Sequence, residues 1–144
     1  VFADLFGGIT TDRLTRRFGL RVGRASVGGG SLAAAGLFLI AGTFAPDPVL
    51  GAVLISMAAA SSNFLLGASW GTCIDIGGDN SGVISAAMNT AGQVGGMLNP
   101  VIMAMTVDLF GGWTVALCLM GTLYLLGAAC WFWVDPTVKV EART

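Results

Sequence analysis

Histidine is absent from this sequence, and charge of either sign is scarce: Asp, Glu, Lys and Arg make up only 10% of 144 residues. A soluble domain usually carries about a quarter. With 55% hydrophobic residues and a mean hydropathy of +0.82, that shortage excludes an ordinary soluble domain and implies an integral membrane protein. Positive charge is missing from most of the chain, since no Lys or Arg lies between Arg24 and Lys139. A membrane enzyme is poorly equipped here, because the apolar stretches hold no histidine, no acid cluster and no nucleophile paired with a base. Cys73, Cys118 and Cys130 have no paired spacing of a metal site or disulfide framework, and they read as small buried residues. No metal, cofactor or nucleic-acid partner is expected.

What is present is concentrated near the start. Phe6 to Arg24 contains five arginines: Arg13, Arg16, Arg17, Arg21 and Arg24. Basic residues beside membrane spans mark the cytoplasmic face, so residues 12–23 are expected to form a cytoplasmic basic loop. The first residue is Val, and residues 1–11 read as the end of a helix begun upstream rather than as a signal peptide, which makes the chain a fragment. After Arg24 four uncharged windows each reach the roughly 20 residues needed to cross a bilayer. Transmembrane helices are predicted over 24–44, 49–72, 81–106 and 112–134, because irregular backbone cannot face lipid. Four spans return the tail, 135–144, with Lys139 and Arg143, to the side of the arginines, while the two outer turns carry Asp47 and Asp108 and no basic residue. Asn80 or Ser81 should cap the third of these helices.

Polarity inside the spans is uncharged. Asn89 and Gln93 stand four apart and share a helix face, about 12 and 18 Å from the predicted inner end. They straddle the middle of a roughly 30 Å core, the depth at which transporters bind solutes, although amides there also serve as packing glue. Asn63, Gly67 and Trp70 make a comparable line on the preceding helix. Gly67 with Gly71, and Gly92 with Gly96, are spaced for close helix contact. Asp4 is an acid at depth, which is either a proton or cation site or the partner of a group on another helix.

Gly8-Ile9-Thr10-Thr11-Asp12-Arg13, followed by Arg16-Arg17-Phe18-Gly19, resembles the loop signature of the major facilitator superfamily. Trp70-Gly-Thr-Cys-Ile-Asp75-Ile-Gly-Gly, Ser81-Gly82, Met88-Asn89-Thr90, Asn99-Pro100 and Gly112-Trp113 look like its anion:cation symporter branch, which includes hexuronate, glucarate, phthalate and sialic-acid transporters. The resemblance implies an all-α polytopic membrane bundle, part of the C-terminal six-helix half of that fold, from the end of helix eight to helix twelve. It implies proton-coupled (or Na+-coupled) symport of a small organic anion, such as a sugar acid or aromatic carboxylate, by alternating access. Trp70 and Asn89 would line the anion site, joined by Gln93 and Asn63 on the helix faces described above. Gly8, Asp12, Arg13, Arg16, Arg17 and Gly19 would form the gating motif, with Asp12 at the positive end of a helix dipole. The partners implied are the anion, the coupling ion, the lipid bilayer and the N-terminal helices of the same transporter. The setting implied is a plasma membrane, the bacterial inner membrane, with residues 12–23 and the C-terminus cytoplasmic. Two other readings stay open: an efflux pump of the same superfamily, and a small four-helix interaction or pore subunit.

Overall fold

The computed structural model describes the backbone of residues 2–140 and the side chains of residues 6–140. Its architecture is all-α, a membrane helical bundle. In order these are α1 (Phe2–Phe18), α2 (Leu20–Thr43), α3 (Pro48–Gly77), α4 (Ser81–Phe110) and α5 (Trp113–Cys130). Short 3-10 turns, Gly78–Asn80 and Trp131–Trp133, follow α3 and α5. Among the described residues three uninterrupted apolar stretches are long enough to cross a membrane: Leu20–Thr43, Pro48–Phe110 and Trp113–Trp133. The 63-residue middle stretch is two antiparallel helices, α3 and α4, folded back at Gly78–Asn80.

The arginine-rich segment is helical rather than an open loop. Residues 12–18 continue α1 and α2 begins at Leu20, leaving Gly19 alone between them. Gly19 has φ +88° and ψ 164°, a conformation essentially restricted to glycine, and this is how two helices meet without a linker. The helices also extend past the hydrophobic windows, α3 to Gly77 and α4 to Phe110, because intrahelical hydrogen bonds continue into the interface. At the other end Asp47 caps α3, its carboxylate accepting from the Leu50 N–H at 3.0 Å, with Pro48 at the first helical position. Asn80 precedes α4 but makes no side-chain capping bond.

Small residues set the packing. α1 runs parallel to α3, where the carbonyl of Phe64 lies against Gly7 and a Cβ at Gly67 would stand 2.6 Å from the Gly8 nitrogen. α2 and α5 cross at Gly36 and Gly121, where a Cβ at Gly36 would lie 2.7 Å from the Gly121 carbonyl oxygen. Ala35, Ala58, Ala68, Ala116 and Ala128 complete this close-packed centre. By contrast, among the described residues α4 packs on α3, the Gly78–Asn80 turn and α5, and Thr106 is the one residue of α4 that is buried. Gly92 and Gly96 face open space and are not helix contacts among the described residues. After α5 the tail turns under the arginine end. Pro136 is fully buried there, Val140 N–H donates to the Ile76 carbonyl at 3.0 Å, and Asp135 lies 3.6 Å from Arg21.

Candidate functional site

Near the arginine end the α3–α4 hairpin flanks an open cavity of about 260 Å³ lined by Leu66, Ser69, Trp70, Met88, Asn89, Gly92 and Gln93, most of them exposed. Helical periodicity positions these groups. Leu66, Ser69 and Trp70 fall at i, i+3, i+4 on α3, and Asn89 and Gln93 one turn apart on α4. At one edge of the cavity Cys73 Sγ lies 3.3 Å from Met88 Sδ, a contact between the two helices. The lining offers donors without charge: the indole N–H of Trp70, the amide N–H groups of Asn89 and Gln93, and the Ser69 hydroxyl. Such a set suits the oxygens of an organic anion.

Trp70, Asn89 and Gln93 therefore share one cavity, whereas Asn63 lies outside it, exposed about two turns along α3. Gly67, in line with Trp70 by sequence, faces the backbone of α1 instead. The side chain of Asp4 lies outside the described residues.

The second feature is an ion cluster that motif spacing alone does not reveal. Arg24, on the second turn of α2, is buried. Its Nε donates to Asp75 Oδ2 at 2.9 Å, and its Nη1 lies 3.6 Å from Asp12 Oδ1. Its side chain is 10% exposed, that of Asp75 20% and that of Asp12 66%. The Asp75 contact is thus the sheltered one, and the Asp12 contact is peripheral and screened. Gly71, one turn before Asp75, makes the room, because a Cβ there would fall on the guanidinium. Asp75 sits near the negative end of α3, where a carboxylate is disfavoured, so Arg24 neutralises both the acid and the helix terminus. Asp12 of the Gly8–Gly19 motif thereby reaches an arginine on α2, tying α1, α2 and α3 together at one point. A glycine one turn ahead of an acid was the available signal in the sequence, and it looked like any other small residue of a membrane helix.

Arg13, Arg16, Arg17 and Arg21 are exposed. The Asp135 carboxyl is held below the usual carboxylate range by hydrogen bonds from the Thr137 hydroxyl and N–H, with a lesser contribution from Arg21.

Comparison with known proteins gives one informative likeness. Over 143 residues, 99% of this chain, the sequence is 29% identical to a protein of Cupriavidus necator named "Probable sulfoacetate transporter SauU". The chain spans 33% of that relative's length. No family model matches the chain, and no solved structure matches it. The apolar helices, together with this likeness, make the chain a multi-pass integral membrane protein.

Proposed function

We propose that the chain is the C-terminal part of a secondary active transporter of the major facilitator type, moving a small organic anion together with protons by alternating access. The observation that carries this reading is the cavity between α3 and α4, where Trp70, Asn89, Gln93 and Ser69 offer donors around an uncharged space. A cavity of about 260 Å³ suits a compact solute. Sulfoacetate, which carries a carboxylate and a sulfonate on two carbons, is the size of anion the relative's name suggests. Sugar acids and aromatic carboxylates belong to the same chemical range. Among the described residues no cation lines the cavity, so the anion's charge would be met by groups of the remaining transporter, as would the proton.

In this reading the Arg24 cluster holds the ends of α1, α2 and α3 as one block on the cytoplasmic side, and the motif from Gly8 to Gly19 carries Asp12 to it. The block would move as a unit when the inner side opens and closes.

The test is uptake of labelled sulfoacetate, hexuronates and aromatic carboxylates by the full-length transporter in proteoliposomes under an imposed pH gradient. Accumulation of one anion, abolished by dissipating the gradient and weakened in Asn89→Ala, supports the reading. Expulsion of hydrophobic cations with no anion movement would assign the chain to an exporter instead.

A further inference from the structure

We propose that the outer side of α1 is a binding site for an anionic phospholipid, with the acyl chain on Phe6 and Ile9 and the phosphate held by Arg13, Arg16 and Arg17. Burial of α1 is one-sided. Gly7 and Thr11 are buried and Leu14 and Thr15 half-buried, at i, i+4, i+7 and i+8, the side turned to α2 and α3. Phe6, Ile9, Arg13, Arg16 and Arg17 follow at i, i+3, i+7, i+10 and i+11 on the opposite side, all exposed. The stripe is apolar first and cationic last. It runs about 16 Å along the helix, with about 6 Å from Ile9 to Arg13, which matches one leaflet of a roughly 30 Å hydrocarbon core and its phosphate layer.

The chemistry suits the phosphate of a lipid headgroup. Guanidinium groups pair with phosphate oxygens in a two-pronged geometry that an ammonium lacks. The guanidinium of Arg17 lies 5.4 Å from the Phe18 ring centroid, a contact that steadies it at the α1–α2 corner. Among the described residues Arg21 is engaged by Asp135 and Arg24 by Asp75 with Asp12, and Arg13, Arg16 and Arg17 share the exposed side of α1 with Phe6 and Ile9, so the site is assigned to these three. Arginines at a membrane edge also set orientation and offset a helix dipole. Neither effect requires Phe6 and Ile9 to stand in line above the charges, and a bound phospholipid uses both halves of the stripe. The site is separate from the α3–α4 cavity, and its failure would leave the transport reading untouched.

The test is native mass spectrometry of the full-length protein, equilibrated in neutral detergent with equimolar phosphatidylglycerol and phosphatidylcholine. Wild type should retain phosphatidylglycerol preferentially. Each Arg→Gln change should lower that preference about fivefold, the worth of one basic residue at an anionic surface. R13K/R16K/R17K should fall between wild type and R13Q/R16Q/R17Q, because charge survives while the fork is lost. Phe6→Ala, at an exposed position, should shorten retention, and it carries the test if the triple glutamine variant does not fold. Millimolar inorganic phosphate should leave the adducts in place, separating bilayer lipid from free phosphate as the ligand. Equal retention of the two lipids, an unchanged preference in the variants, or displacement by phosphate would overturn the site. So would failure of any lipid to exchange because a protein helix covers the stripe.

Discussion

Arg24 joins α1, α2 and α3 through Asp12 and Asp75. Asp75→Asn leaves Arg24 buried beside a neutral partner, and breaking a sheltered ion pair from one side costs about 3 kcal/mol. Gly71→Ala acts on the same pair by steric means, driving a methyl into the guanidinium, with an expected cost of about 1–3 kcal/mol. Both should lower the melting temperature in detergent, and the double variant should lose less than the sum, since either change disrupts one contact. If Gly71→Ala melts like wild type, the cradle around Arg24 is not as described. The cavity residues should behave differently. If the proposed transport holds, Asn89→Ala and Trp70→Ala remove donors to the anion, each worth about 1.5–3 kcal/mol, and so should raise its KM by about tenfold or more with little change in melting. Asn63→Ala, outside the cavity, should leave KM alone.

At the scale of the helices, Gly19 is the decisive position. Its backbone at φ +88° costs any other residue about 1–3 kcal/mol, so Gly19→Ala should destabilise the α1–α2 corner, checked by thermal melting against Gly30→Ala. Gly30 has open space around it within α2, where alanine is the better helix former. This corner also marks the limit of what sequence reading reaches. The apolar windows predict spanning helices because length and hydropathy are local quantities. Residues 12–23 read as a loop because arginines normally flank spans, whereas a helix persists through arginine without penalty and only Gly19 interrupts it. The pairing of Asn89 with Gln93 is legible, being fixed by a 3.6-residue period. Their meeting with Trp70 follows from the hairpin at Gly78–Asn80, and the departure of Gly67 from that face follows from the path of α1. Neither the Arg24–Asp75 contact nor the turn of Gly67 toward Gly8 is periodic, so no pattern within one helix announces it.

For the molecule as a whole, the tail gives a pH prediction. The Asp135 carboxyl lies below its ordinary value of 3.8 because Thr137 hydrogen-bonds its charged form. A lowered carboxyl stabilises the fold above its unfolded-state value and ceases to do so as pH falls through the folded-state value. Amide exchange of the tail, corrected for its intrinsic rate, should therefore hold steady from neutral pH to about 4 and quicken below. Asp135→Asn should remove the inflection. The ion cluster carries a further consequence for chain length. Arg24 meets its acids only because the five residues Leu20 to Arg24 carry it round from the Gly19 corner in the right phase. One inserted residue in that interval would swing it by about 100° and shift it about 1.5 Å, whereas an insertion between Phe44 and Asp47 would merely lengthen a turn. The interval after Gly19 thus works as a ruler, and tolerance to insertion should be found only at the opposite end of the bundle.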